Sequence, residues 1–449
     1  MSSRFAVPLS FALALAGVPA FAAEPQPATP NAAPKAASAA AAGNVDLADL
    51  RAFTAVYSLV KQAYVDDIDD HRLMQAAIRG LLAGLDPHSE YLGKEQLEDL
   101  TEDTTGSYAG LGIEVLQVDG SLRVIAPIDD SPAERAGIKA GDTIVRIDGK
   151  ALQADDLEAA IASLRGKPGT SITLSVLHEK QTVPVDVPLK REVIRVASVR
   201  GRLLEPGYAY LRIAQFQAET GAQLRRRVER LVADNKAPLR GAVLDLRSNP
   251  GGLLTSAVEV GDEFLDSGVI VSTHGRVKES DLSFRATSGD LLDGAPMVVL
   301  VDNGTASAAE IVAGALKDNH RGLLMGRRTF GKGSVQTVLP LDADHAVKLT
   351  TARYFTPNGT SIQAAGIQPD IALADLALSQ RESEPTPAFG ERDLRNHLRG
   401  ANESEQGDMA AATKRDLQDY ALNEALNALK ALALRSKSSM PASGGNARG

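Results

Sequence analysis

The sequence predicts a multidomain α+β chain with helices at the N-terminus, a small β-rich module, an α/β core and a last helix. Three observations predict it. Apolar residues fall at three- and four-residue steps near both ends of the chain. Short β-rich runs alternate with turn residues over 106–188. Strand-like and helix-like runs then alternate over 189–375, as in an α/β layer architecture. With 449 residues, of which 44% are hydrophobic and 23% charged, the chain has the size of two or three domains and an ordinary globular composition.

The elements follow in order. Residues 1–22 read as a secretory signal: Arg4 opens it, Phe5 to Val18 is mostly apolar, and Ala20-Phe21-Ala22 offers a cleavage site. The apolar run is short for a membrane span and is broken by Pro8, although an uncleaved anchor is the alternative. The expectation is an exported, periplasmic protein, with membrane association as the variant of that expectation. Residues 23–44 are rich in Ala and Pro, bury little, and predict a flexible tether. A helical region is expected over 45–105. Leu47, Leu50, Phe53, Tyr57, Val60 and Tyr64 mark one helix; Leu73, Ala77, Leu81 and Leu85 mark a second that ends near Asp86-Pro87.

The module over 106–188 carries the runs IEVLQV, LRVIAPI, TIVRIDG, SITLSVL and VPVDVPL as strands. A helix at 157–164 sits between Asp156 and Gly166-Lys167-Pro168-Gly169. In the core at 189–375, GYAYLRI, GAVLDL and PMVVLVD read as buried strands, and 224–232, 253–265 and 307–317 as helices. A C-terminal region spans 376–435. Its first part is polar and without period. Leu417, Ala421, Leu422, Leu426, Leu429 and Ala433 then give an amphipathic helix, packed on the body or on another subunit. Residues 436–449 are expected to be a disordered tail.

Composition removes several kinds of chemistry. Lys+Arg is 48 against Asp+Glu of 57, a net charge of −9, which argues against nucleic acid as a partner. There is no Cys, so disulfides, thiolate metal sites and a cysteine nucleophile are excluded. Trp is absent and aromatics are 4%, a poor basis for stacking on bases or sugars.

Two strand-to-helix junctions remain as places for chemistry. One is Asp245-Leu246-Arg247-Ser248-Asn249-Pro250-Gly251-Gly252; the other is Asp302-Asn303-Gly304-Thr305-Ala306-Ser307-Ala308-Ala309-Glu310. Ligands of open α/β sheets bind at the C-terminal ends of strands, where helix N-termini present unpaired N–H groups. Ser307 could be a nucleophile there, with the next N–H and one from Gly251 or Gly252 facing an oxyanion. Ser307 as a plain N-cap, beside a plain glycine loop, fits the same residues. A serine nucleophile needs a base. None of His71, His88, His178, His274, His320, His345 and His397 lies in a recognisable triad signature, and Gly-x-Ser-x-Gly is absent. Lys332, in Thr329-Phe330-Gly331-Lys332-Gly333-Ser334-Val335-Gln336, stands among apolar and glycine residues without an adjacent acid. Desolvation there would favour the neutral amine, which can take a serine proton. Gln336 would share its face if both lie on one strand, and could hold the amine. A solvated surface lysine is the plainer alternative. Gly326-x-x-x-x-Gly331-Lys332 also matches the opening of a phosphate-binding loop. Gly333 stands where that motif needs a hydroxyl, however, and a β-rich run follows where a helix should.

These motifs resemble the C-terminal processing peptidases, or tail-specific proteases, from about residue 45 to 375. Leu85-Asp86-Pro87-His88-Ser89 is similar to the family's N-terminal signature, and 106–188 to its PDZ domain. The two junctions, Thr329-Phe330-Gly331-Lys332-Gly333, Ala352-Arg353-Tyr354-Phe355-Thr356-Pro357 and Gly366-Ile367-Gln368-Pro369-Asp370 are similar to its peptidase core. The resemblance implies a PDZ module placed before or within a crotonase/ClpP-like α/β core. It implies Ser307 as nucleophile, Lys332 as general base and Gln336 as the residue that orients it. Ala308 with Gly251 or Gly252 would form the oxyanion hole, and Leu111-Gly112-Ile113 the loop that receives a peptide C-terminus. No metal or cofactor is implied. Partners would be polypeptides with apolar C-termini, an adaptor lipoprotein as in some relatives, and further copies of the chain. A PDZ-bearing adaptor with an inactive core is the competing function, although it has no chemical need for Ser307, Lys332 and Gln336 together. Two features depart from the family: Thr305 and Ala309 replace flanking serines, and Arg327-Arg328 replaces a more usual acid. Those arginines are expected to point outward. Arg165, just after the module's helix, could contact the peptidase body.

Overall fold

The computed structural model describes residues 45–438 except 119, 129, 180, 375 and 377–418. The expected signal segment, tether and polar stretch after 376, and residues 439–449 of the expected tail, lie outside the described residues. The chain divides into two compact units, 1–75 and 76–449.

In the first unit, α1 (Leu47–Ala63) starts where the Asp46 carboxylate accepts the Ala48 N–H at 3.0 Å. None of its residues is buried. Lys61, in its last turn, pairs with Asp70 at 2.8 Å. α2 (Asp70–Ala83) begins after Asp69, whose carboxylate accepts the N–H groups of His71 and Arg72. It runs across the division and stops before Asp86-Pro87.

The second unit continues with β1 (Glu90–Leu92), α3 (Lys94–Thr105) and the β-rich module. The module comprises β2 (Ser107–Gly110), β3 (Ile113–Val118), β4 (Ser121–Pro127), α4 (Pro132–Arg135), β5 (Thr143–Ile147), β6 (Lys150–Ala151), α5 (Leu157–Leu164), β7 (Ser171–Leu177), β8 (Val185–Lys190) and β9 (Glu192–Arg195). Its antiparallel sheet runs β3-β4-β5-β7-β8, with β6 on β5. Alternate residues Ile172, Leu174 and Val176 of β7 face a core closed by Leu157 and Leu164 of α5. β2 and β9 pair where the chain enters and leaves the module.

The core follows with β10 (Val199–Glu205), β11 (Tyr208–Ile213), α6 (Thr220–Asn235), β12 (Gly241–Asp245), α7 (Leu254–Asp262), β13 (Val269–Gly275), β14 (Leu282–Arg285), β15 (Met297–Val301), α8 (Ala308–Asp318), β16 (Leu323–Gly326), β17 (Ser334–Pro340), β18 (Ala346–Phe355), β19 (Ile371–Ala372) and α9 (Tyr420–Ser438). The order β10-β11-β12-β15-β16-β19 forms a sheet that is parallel from β11 to β19. Ala242 and Leu244 of β12 face one apolar cluster with α6, α7 and α8; Val243 faces another with α9. The sheet is thus covered on both sides, which is why its strands read as unbroken apolar runs. A second sheet runs β1-β18-β13-β14, with β17 on β18.

The last helix packs on the body: Leu422, Ala425, Leu429 and Ala433 meet Tyr208, Val243, Val298 and Leu300. It runs through Ser438, so the expected start of a disordered tail at 436 is corrected by three residues. Polar residues such as Ser436 continue a helix already nucleated by its buried face. Among the described residues no helix is long and apolar enough to cross a membrane.

Candidate active site

β12 and β15 are neighbouring parallel strands, so their two C-terminal junctions lie side by side. Hydrogen bonds lace them together. Ser248 N–H reaches Asp302 at 2.8 Å, Thr305 Oγ1 reaches the Leu246 carbonyl at 2.8 Å, and Ala306 N–H reaches the Asn249 carbonyl at 2.9 Å. Phe330 N–H joins the third motif by donating to the Thr305 carbonyl.

Ser307 ends the second junction at φ +55° and ψ −117°, directly before α8. A non-glycine residue held there costs about 1–3 kcal/mol and persists only where its surroundings over-determine it. Glu310 does so. Fully buried, its carboxylate accepts from Ser307 N–H at 2.9 Å, Thr329 Oγ1 at 2.5 Å, Gly331 N–H at 2.8 Å and Lys332 N–H at 2.9 Å. One carboxylate therefore fixes the backbone of both Ser307 and Lys332. Sequence reasoning missed it. The legible signal was one acid inside the apolar stretch Ala308–Leu316, all of which is buried.

Ala308 N–H, the first of α8, has no partner among the described residues, as a helix N-terminus requires. The two glycines separate. Gly251 N–H donates to Asn249 Oδ1 at 2.9 Å, which removes it from the expected oxyanion pair. Gly252 is exposed, and its N–H has no partner among the described residues. Gly251 has a packing role instead: a Cβ on it would lie 2.7 Å from Ser307 Cβ.

Ser307, Ala308, Gly252, Lys332 and Gln336 line one cavity of about 530 Å³, whose apolar wall includes Leu97, Leu100 and Ile311. A larger depression, about 860 Å³, lies by Met297 and Leu323 at the N-terminal ends of β15 and β16. There Lys317 and Arg321 are taken up by Asp370 and Asp290.

Lys332 is half-buried, and burial holds its amine below the ordinary lysine range, with the Lys348 charge acting the same way. Lys348 is itself paired with Glu90. Arg327 and Arg328 are exposed, so the charge that acts on Lys332 comes from β18 rather than from its own loop. No hydrogen bond joins Lys332 Nζ to Ser307 Oγ.

Gln336 departs from expectation. Its amide donates to Ser334 Oγ at 2.9 Å and Thr350 Oγ1 at 3.4 Å, with no bond to Lys332. β17 begins only at Ser334 and shifts register between Val335 and Gln336, so the shared-face rule of a continuous strand does not apply. Tyr354, which sequence reasoning did not assign a role, is 2% exposed and donates its hydroxyl to the Lys332 carbonyl. Burial pushes its phenol well above the usual range, Glu310 adds to this, and the Ser307 hydroxyl opposes it. The 86–89 turn is tied to Thr350 of β18, the strand that carries Lys348 and Tyr354 of the cavity. Asp86 accepts from Ser89 Oγ at 2.7 Å and from Thr350 Oγ1 at 3.1 Å. His88 is held below its usual range by burial first and then by the Lys332 charge.

In the module, Leu111 and Gly112 N–H groups have no partner among the described residues. They open on a groove of about 140 Å³ with Ile113, Val115, Ile161 and Leu164 on its walls. Arg165 lies at its edge, 2.7 Å from Glu102 of α3 and 5.4 Å from the Tyr108 ring centroid.

Comparisons with known proteins bear on the same segments. The family model described as peptidase family S41 matches residues 207–373, and a PDZ domain model matches 109–189. A model described as the activating protease CtpB N-terminal domain matches 16–96. A carboxy-terminal-processing protease of Bartonella bacilliformis is 43% identical over 85% of this chain and 88% of its own length. The carboxy-terminal processing protease CtpA of Bacillus subtilis is 35% identical over 70% and 67%. Among solved structures, the photosystem II D1 C-terminal processing protease is 32% identical with a TM-score of 0.42, covering 73% of this chain and 94% of that one.

Proposed function

The chain belongs to peptidase family S41 and is a C-terminal processing serine peptidase with a PDZ domain, and from that premise we propose that it works through a Ser307–Lys332 dyad on the tails of exported proteins. The observation that carries this reading is the single cavity holding Ser307 at a strained turn, two unpartnered N–H groups and a half-buried amine.

In that mechanism the neutral Lys332 amine takes the Ser307 proton as Oγ attacks the scissile carbonyl. The oxyanion forms against Ala308 and Gly252 N–H groups, which need no reorganisation to receive it. The tetrahedral adduct collapses, Lys332 returns the proton to the leaving amine, and an ester to Ser307 remains. Water, deprotonated by the same amine, hydrolyses that ester and frees the serine. Leu97, Leu100 and Ile311 favour an apolar side chain beside the cut. A Gln336 contact with the amine requires its side chain to leave Ser334 when substrate binds.

The tail is read separately. A C-terminal carboxylate meets the Leu111 and Gly112 N–H groups, and an aliphatic last side chain enters the groove beyond them. The signal-like residues 1–22 support a periplasmic setting. Delivery by an adaptor lipoprotein and self-association belong to the same reading.

The test is mass spectrometry of the exported proteins of cells with and without a Ser307→Ala substitution. Shortened C-termini are expected only with Ser307 intact. Identical C-termini in both would reject exported tails as the substrates.

A further inference from the structure

α6 carries four arginines, and among the described residues three of them make no ion pair. Arg225 pairs with Glu263 at 2.5 Å. Arg226, Arg227 and Arg230 instead line a depression of about 250 Å³, where Arg195 joins them from the end of β9. None of these four side chains has an ion-pair or hydrogen-bond partner among the described residues. The depression shares no lining residue with the catalytic cavity or with the groove of the PDZ module.

It is also firmly built. The Gln223 side chain on its floor accepts the Ser198 N–H at 2.9 Å. Gly201 leaves room for the Arg227 stem, since a Cβ there would lie 2.9 Å from Arg227 Cγ. Clustered cations repel one another. In a chain of net charge −9, neutralising acids are abundant, yet none lines this depression, and Glu229 and Asp234 of the same helix make no ion pair with its arginines. The ligand that relieves this repulsion is an anion with several oxygens, and the guanidinium fork fits phosphate in a bidentate way.

The rim narrows the choice. Val196 lines the depression and is 36% exposed; Val193 is 57% exposed and shares the outward face of β9 with Arg195, opposite buried Ile194. Exposed aliphatic side chains beside arginines suit the headgroup layer of a bilayer better than a soluble polyanion. We propose that this face docks the protein on a membrane surface rich in anionic phospholipids, the arginines receiving lipid phosphates and Val193 and Val196 entering the headgroup layer. The site is independent of the dyad.

The experiment measures partition of the full chain onto phosphatidylglycerol-containing vesicles and onto pure phosphatidylcholine vesicles at physiological salt. An Arg226→Gln/Arg230→Gln variant is compared with a control that loses equal charge from the PDZ module, Arg123→Gln/Arg146→Gln. At about 1 kcal/mol for each arginine near an anionic surface, the first variant should lose about 30-fold in partition onto phosphatidylglycerol. The control should stay close to the parent, and all three should bind phosphatidylcholine alike. Cleavage of a short peptide reports that each variant is folded. Equal losses in both variants would mean general charge rather than this site. Absence of binding to phosphatidylglycerol, or binding of inorganic pyrophosphate or polyglutamate alone, would overturn membrane docking.

Discussion

Glu310 receives four hydrogen bonds that span the Ser307 and Lys332 loops, so it holds geometry that neither loop would keep alone. Glu310→Gln keeps the shape but turns one acceptor into a donor facing N–H groups. It should cost about 2–4 kcal/mol of stability, read by denaturant unfolding. It should also lower kcat by about 100-fold, because Ser307 loses the restraint on its turn; unchanged kcat and stability would show that the carboxylate is dispensable. The Lys332 amine lies below its ordinary range through burial and the Lys348 charge. In the proposed dyad the base must be neutral, so kcat/KM should rise with pH through the Lys332 pKa and then level. Removing a like charge favours the protonated amine. Lys348→Gln should therefore move the rising limb to higher pH, and the freed Glu90 acts in the same direction. A limb that stays in place would mean that another group takes the proton. Ser307 and Lys332 were legible from their chain neighbours. The roles of Glu310 and Tyr354 were not, although Glu310 stands out as one acid in an apolar stretch, because those roles depend on contacts between segments far apart in sequence. The choice between Gly251 and Gly252 likewise needed the Asn249 side chain.

Helices and strands were legible where the apolar pattern is periodic or continuous rather than by length: twelve-residue α3, with no buried residue, and ten-residue β18, mostly half-buried, were not singled out. α5 matches the expected 157–164, since eight residues between turn signals fix both ends. β2, β6 and β19 have two to four residues, too few for a period of two to show. The long-range pairing of β1 with β18, which brings the 86–89 turn to the site, left no local trace. The last helix joins element to site. Asp419 accepts the Leu422 N–H at its start and two hydrogen bonds from Arg247, in the loop that carries Gly252. Buried Asp245 holds the other side of Arg247 and also accepts from Tyr210, whose phenol is pushed up to about 12 by burial and by that carboxylate. Leu429 lies fully buried under the helix. Leu429→Ala should cost about 2–5 kcal/mol in thermal or denaturant unfolding. A loss below about 0.5 kcal/mol would show that the helix is not fastened to the sheet as described.

Across the whole molecule, the proposed function puts recognition and cleavage in different modules: a groove for a chain end and a cavity for a chain interior. Removing the terminal charge of a substrate should then weaken capture without touching chemistry. Amidating the C-terminus of a long polypeptide should lower kcat/KM by about 10- to 100-fold, the worth of charge-assisted hydrogen bonds. Cleavage of a short peptide that cannot reach both modules should be unaffected, and equal losses for both would contradict separate recognition. The order of the modules was legible because each has its own texture, a β-rich stretch followed by strand–helix alternation. The placing of four separated motifs around one cavity was not, since only the parallel sheet and the β17–β18 pairing bring them together.

The most direct measurement is fragment analysis by mass spectrometry of an unfolded, apolar-tailed polypeptide incubated with the purified parent, Ser307→Ala and Lys332→Ala proteins. The parent should yield C-terminal fragments, while both variants yield none and still bind the tail. Undiminished fragments from either variant would show that the hydroxyl and the amine are not the pair that breaks the peptide bond.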